Sequence, residues 1–505
     1  MPSGWCFSLQ TIPRPTRPGR MTRRDFIRRS VLWGMGAAGA GMLTGCAVSS
    51  TSSLPSTTPP TAAAPQPTAT SPAPACPRWL NSTQYGPDFV YGDPRPDAPE
   101  LAPRGKFGVG VRRLDLVNPN QIDILNYSES NPEPRYDRPL GVMVWYPAII
   151  PPGVEMLTTY SDTLGSGPGN PDRPIIPFEF TGRALRDAEP DRSEAPYPLI
   201  ILSHGYPGSA VLLTNLTENL ASKGYIVAAI EHTDSTHWDA AGFASTLLNR
   251  PLDILFVLNE MGKMGQAGSG SFLAGMVDDE HTALMGYSMG GYGVLNVAGA
   301  GFRPESVDLP WGVPGGHLAV RVRGNPQFEA SLDPRVKAIV PMAPWGAPYF
   351  FDDEGLKGIK MPAFFIVGDQ DDTAGFQNVK YLFEKAVHSD RYMLVYQGGI
   401  HEVVVNPAPL ISTMSFREYM HYQEPCWDNA RCNNINQHFL TAFLGRYLKG
   451  IEEYQAYLDV PVPIANQAKW SQNPDGTFKE DHTYWKGFRQ WTCVGLELHH
   501  LPAEA

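Results

Sequence analysis

The sequence offers little from which a metal or dithiol centre could be built. Its 505 residues include six cysteines, with no Cys-x-x-Cys spacing and no clustered histidine ligands. Structural zinc and redox pairs need such spacings, so no metal is expected. No internal repeat is present, so the chain is not an array of stacked units. Positive charge is also scarce. The formal net charge is −11, and residues 1–46 alone hold seven arginines and one aspartate. The remainder carries 33 basic against 50 acidic residues, a net −17. That surface argues against nucleic acid and against electrostatic docking on anionic lipid, while leaving neutral, apolar or cationic substrates open. What is abundant fits a large globular protein with many loops: 42% hydrophobic residues, 18% charged, 49 glycines and 49 prolines. The length suffices for a sizeable core in one large domain or two ordinary ones.

The N-terminus reads as an address. Residues 22–29 run T-R-R-D-F-I-R-R, and a mostly apolar, Gly/Ala-rich run of 13 residues follows at 31–43. Thirteen residues are too few to span a bilayer comfortably, but they suit the apolar region of an export signal. Arg23-Arg24 before Asp25-Phe26 resembles a twin-arginine signal. L-T-G-C at 43–46 resembles a bacterial lipobox, which implies lipidation at Cys46. Met21 is the expected start of such a signal, with residues 1–46 as the lipoprotein signal. Residues 47–77 carry no charge and are dominated by Ser, Thr, Pro and Ala. This composition cannot bury enough apolar surface to fold, and it reads as an extended tether. The expectation is an exported envelope lipoprotein or secreted protein that meets a membrane only through its anchor. Outside the cytoplasm, the four remaining cysteines suggest disulfides. Short spacing favours Cys426 with Cys432, which leaves Cys76 with Cys493, although three pairings are open.

Residues 78–505 read as one domain. Short β-rich runs alternate with helical segments from about 107 to 450, which predicts an α/β fold with a mostly parallel sheet covered on both faces. Strands are expected at 108–116, 140–146, 198–203, 225–230, 282–286, 336–341, 363–367 and 392–396. Helices are expected near 213–223, 252–264, from 289, and at 435–448. Two Gly/Pro-rich stretches, 156–195 and 301–332, look like insertions that serve as lids or walls.

The strongest chemical signal is G-Y-S-M-G at 286–290, which directly follows an apolar strand and opens an apolar helix. A tight strand-to-helix turn of this kind exposes a serine hydroxyl, here Ser288, beside a helix N-terminus whose positive potential favours a developing anion. A hydroxyl needs a base. Q-G-G-I-H at 397–401 follows the last expected strand, and G-D-Q-D-D-T at 368–373 follows the one before it. The order Ser288, Asp371, His401 is the order the α/β-hydrolase fold requires. Asp371 is favoured over Asp369 and Asp372 by its place in the strand-end G-x-x-D. His401 is favoured over His232, His237 and His438, which follow a central strand or lie in a helix. H-G-Y-P-G at 204–208 follows an earlier strand and is where this fold supplies an oxyanion-hole amide. Tyr206 and Met289 are therefore expected to donate the two N–H groups.

These residues carry a family resemblance. P-L-I-I-L-S-H-G-Y-P-G-S-A through I-V-A-A-I-E-H-T-D-S-T (198–236), R-P-L-D-I-L-F-V-L-N (250–259) and M-G-Y-S-M-G-G (285–291) resemble platelet-activating-factor acetylhydrolases and dienelactone-hydrolase-like esterases. G-Y-S-M-G and A-P-W at 343–345 are similar to bacterial cutinases and polyester hydrolases. The resemblance implies hydrolysis of small-molecule or lipid esters without a cofactor, and Trp345 and Tyr206 as an apolar clamp on the substrate. Trp345 also fits a packing role. A serine stands where true dienelactone hydrolases carry cysteine, which argues against that activity. Two other functions compete: a peptidase or amidase using the same triad, and a binding protein on an inactive scaffold. The oligomeric state is not legible.

Overall fold

The computed structural model describes residues 89–504. Two long antiparallel strands, β1 (Gly108–Ile122) and β2 (Arg135–Ile149), open the sheet. A separate hairpin follows, with β3 (Thr158–Leu164) paired to β4 (Ile176–Gly182). Two-residue strands β5 (Leu185–Arg186) and β6 (Glu189–Pro190) fasten the chain back onto β1 and β2. The central strands are β7 (Tyr197–Ser203), β8 (Ile226–Glu231), β9 (Val277–Tyr287), β10 (Val336–Met342), β11 (Ala363–Gly368) and β12 (Arg391–Tyr396). They run parallel in the order β12-β11-β10-β9-β7-β8. Antiparallel strands flank them: β2 beside β8, and β13 (Leu496–Leu501) beside β12. All six residues of β11 and of β12 are buried, as strands covered on both faces must be.

The alternation of side chains divides the core in two. Ile200, Leu202, Met285 and Phe364 point into one apolar layer, roofed by helices α1 (Thr214–Ser222) and α5 (Asn429–Lys449). Their neighbours Leu199, Ile201, Leu284 and Phe365 point into the other, under α2 (Phe243–Gly265), α3 (Met289–Val297) and α4 (Phe376–Lys385). With helices on both faces, this is the α/β-hydrolase fold.

Helix α2 begins nine residues before the predicted start at 252, with Pro251 inside it. A proline there leaves the Leu247 carbonyl, four residues back, without its helical donor. The buried Tyr292 hydroxyl of α3 donates to that carbonyl at 3.0 Å, so the break is repaired from the neighbouring helix. No helix among the described residues is long and apolar enough to cross a membrane.

The expected Cys426–Cys432 disulfide is absent from the structure. Both thiols are free, Cys426 exposed and Cys432 buried in the first turn of α5. The helix turns the Cys432 side chain into the core, where burial raises its thiol pKa well above the usual value. Cys493 is also buried and unbridged. Cys76, Cys46, the signal and the tether lie outside the described residues.

Candidate active site

Strand β9 ends at Tyr287, and α3 starts at Met289. Ser288 between them has φ 54° and ψ −114°. A side-chain-bearing residue in that region stores about 1–3 kcal/mol of backbone strain. Three hydrogen bonds hold it there: Ser288 N donates to Met342 O at 2.9 Å, and Ser288 O accepts from Tyr292 N at 3.2 Å and Trp345 N at 3.1 Å. The turn is tight enough that a Cβ at Gly290 would land on the Ser203 carbonyl of β7. Gly290→Ala should therefore lose about 1–3 kcal/mol through overpacking. A denaturant midpoint equal to wild type would show that β7 yields without penalty.

Asp371 and His401 stand on the loops after β11 and β12. Their side chains meet, His401 Nδ1 to Asp371 Oδ2, at 2.8 Å. The other Asp371 oxygen accepts the amides of Thr373 and Ala374, each at 2.9 Å. Asp369 turns instead to the Gly398 amide at 2.7 Å, and Asp372 is exposed. Burial disfavours charge on His401, but the Asp371 carboxylate and its hydrogen bond outweigh it, so the imidazole pKa is raised. Burial likewise opposes the Asp371 charge, yet His401 and the two amides lower its pKa overall. The His401 ring lies 5.1 Å from that of Tyr287, the residue before Ser288. His401 Nε2 has no hydrogen-bond partner among the described residues, the Ser288 hydroxyl included. Two acids not singled out from the sequence crowd this imidazole. Burial pushes Glu402 up to about 8 and Glu424 up to about 7, and Glu424 also receives the Ile400 amide at 2.8 Å. Glu424 comes from the loop before α5, so nothing in its local sequence marks it.

The loop after β7 passes beside this elbow, close enough that a Cβ on Gly205 would sit 3.4 Å from Ser288 Cβ. Met289 opens α3, so its amide has no intrahelical acceptor. The Tyr206 hydroxyl donates to Ala241 O at 2.7 Å, and its ring packs edge-on against Phe243 at 5.2 Å. Phe243 in turn meets Trp345 at 5.6 Å. Trp345 is half-buried and also contacts Tyr349 at 6.4 Å and Trp311 at 6.3 Å. Trp345 thus packs among other rings while part of it stays open. Phe243, Trp311 and Tyr349 were not legible as site residues: Phe243 and Trp311 lie far in sequence from the motifs, and Tyr349, four residues after Trp345, carries no motif of its own. The other histidines are engaged elsewhere: His232 with Ser203 and Asp253, His237 with Gly165 O at 3.1 Å, and His438 with the Leu101 amide at 3.1 Å. Among the described residues no group of three or more His, Cys, Asp or Glu is placed to hold a metal ion.

Comparison with known proteins gives this geometry a context. Residues 183–247, which include the loop after β7 and His232, match the family model described as platelet-activating factor acetylhydrolase, isoform II. A cutinase of Thermobifida cellulosilytica is 24% identical over 183 residues, covering 36% of this chain and 51% of that protein. A cutinase of Thermobifida alba is 25% identical over 212 residues, covering 42% of this chain and 55% of that protein. Over these stretches the chain is similar to α/β-hydrolase esterases, the cutinases among them. It spans about half the length of the curated relatives it matches. The solved ferulic acid esterase of Streptomyces cinnamoneus aligns with 20% identity and a TM-score of 0.46, over 70% of this chain and 94% of that one.

Proposed function

We propose that the protein is an exported serine hydrolase that cleaves carboxylic esters through an acyl-enzyme. The observation that carries this reading is the buried Asp371–His401 pair at 2.8 Å, beside a strained strand-to-helix turn that presents Ser288. In this mechanism His401 keeps its Nδ1 proton on Asp371, which leaves Nε2 free to accept a proton. Ser288 Oγ attacks the ester carbonyl carbon as its proton passes to Nε2. The Tyr206 and Met289 amides receive the oxyanion, and the imidazolium returns the proton to the departing alkoxide. Water repeats the sequence in reverse and releases the acid. The chemistry needs no cofactor. Labelling with a fluorophosphonate followed by peptide mapping tests it: modification at Ser288 is expected, and an unlabelled protein would sink the reading.

The pH dependence follows from the histidine. Only neutral His401 can act as base, so kcat/KM should rise with pH along a limb centred above the ~6.5 of an ordinary histidine. In Asp371→Asn the residual activity should titrate at lower pH, because the largest influence opposing the burial of the imidazolium is then gone. A pH–rate profile unmoved by that substitution would separate His401 from Asp371 functionally.

The part-open aromatic row of Trp345, Trp311 and Tyr349 supports a second reading, a hydrolase of polymeric esters. Soluble product released from a polyester film, compared with p-nitrophenyl acetate turnover, distinguishes the two. Export with lipidation at Cys46, and the domain limits 1–46, 47–77 and 78–505, rest on the sequence signals alone and remain part of the proposal.

A further inference from the structure

Behind the loop that carries Tyr206 lies a buried polar cluster for which the steps above have no use. Ser203 Oγ is 2.9 Å from His232 Nε2, and His232 Nδ1 is 2.9 Å from Asp253 Oδ2. Asp253 in turn receives Arg138 through two hydrogen bonds, at 2.9 and 3.0 Å. Serine, imidazole and carboxylate repeat the order of a catalytic triad. Ser203 is 0% exposed, however, so no substrate carbonyl reaches it. The cluster holds something else.

Arg250 of α2 stands between this cluster and the loop. Its Nη1 lies 3.3 Å from Ser203 Oγ and also donates to the His204 carbonyl. Its Nη2 donates to the Gly205 carbonyl at 3.1 Å and to Ser235 Oγ. The aliphatic stem passes against Gly293 of α3, where a Cβ would come within 2.9 Å of Arg250 Cγ. The Gly205 carbonyl has a second donor, His204 Nδ1 at 2.7 Å. That tautomer is set from the far side of the ring, since His204 Nε2 accepts the His232 amide at 3.2 Å. One carbonyl oxygen on a glycine loop is thus held by two buried side chains.

The reason lies in the peptide plane. The Gly205 carbonyl and the Tyr206 N–H belong to the same trans peptide, so they point in opposite directions. Glycine on one side would let this plane rotate with little steric penalty. Pinning the oxygen therefore aims the hydrogen, and a guanidinium on the oxygen draws electron density through the amide and strengthens the N–H as a donor. We propose that Arg250 is a positioning residue for the oxyanion hole, holding the Gly205–Tyr206 peptide so that the Tyr206 N–H faces the developing oxyanion. His204 shares that task. The proposal rests on Ser288 as nucleophile and on the Tyr206 amide as donor.

The test compares an aryl acetate with its thionoester analogue in wild type, Arg250→Lys and Arg250→Gln. Sulfur accepts hydrogen bonds weakly, so a working oxyanion hole favours the oxygen ester. Loss of one donor lowers turnover by about 10²–10³, and a donor left in place but badly aimed should lower it by about 10–100-fold. In Arg250→Gln that loss is expected on the oxygen ester, with a much smaller loss on the thionoester, so the ratio of the two rates falls. Arg250→Lys should lie between, because an ammonium can serve only one of the two carbonyls well. Equal losses on both esters, or no loss, would overturn the positioning role. So would an Arg250→Lys protein that does not fold, since the guanidinium would then be holding the fold rather than aiming one peptide. Fluorophosphonate labelling of the wild type separates the two claims. A labelled Ser288 with an unchanged ester ratio defeats Arg250 only, whereas an unlabelled protein defeats the hydrolase reading beneath it.

Discussion

Ser288→Ala is expected to lower turnover of p-nitrophenyl acetate by about 10⁵–10⁶-fold, the scale on which serine hydrolases depend on their nucleophile. The size of the effect comes from loss of the covalent route. Without Oγ, His401 has no hydroxyl to activate, and the oxyanion donors alone sustain only weak hydrolysis by water. Substrate binding should change little, because the removed oxygen is small and Ser288 is only 8% exposed. The backbone should hold as well. The bonds from Ser288 N to Met342 O and from Trp345 N to Ser288 O involve main chain only, and alanine keeps them. A well-folded Ser288→Ala protein with activity within tenfold of wild type would place the chemistry elsewhere.

Asp371→Asn should lower turnover by about 10⁴-fold while leaving the fold intact. The surroundings of the side chain decide how asparagine would sit. One Asp371 oxygen accepts the amides of both Thr373 and Ala374, so the asparagine carbonyl must take that position. Its NH2 then faces His401 Nδ1, which is forced to accept, and the ring proton moves to Nε2. The imidazole becomes a donor where a base is needed. Steady-state rates, with circular dichroism as the control on folding, check this. A loss below tenfold would mean that another acid, Glu402 or Glu424, can orient the ring.

Much of this architecture was legible in the sequence, for a definite reason. The central strands carry short apolar runs that end in Gly- or Asp-containing turns. The motifs around Ser288, Asp371 and His401 sit at the ends of those strands, where position along the chain already implies position in the sheet. What stayed illegible depends on partners far away in sequence. The extension of α2 past Pro251 depends on a hydroxyl from α3. Strand β13 reads L-E-L-H-H-L, polar enough to pass for a tail, and it becomes a strand only because β12 has an open edge. Arg250, Arg138 and Asp253 look like ordinary charges on a helix and a strand until the fold buries them together. The cysteine spacing misled because six residues in sequence included the start of a helix, which sent one thiol inward.

The pairing of β13 with β12 has a practical side. Six residues of β13 lie in register against Arg391–Tyr396, the strand whose far end leads to His401. A recombinant fragment cut before residue 496 would bare a row of unpaired amides and carbonyls along β12, a strand whose six residues are all buried in the intact fold. Such fragments should self-associate during purification, and their poor behaviour would say nothing about whether the chemistry proposed for Ser288 is sound.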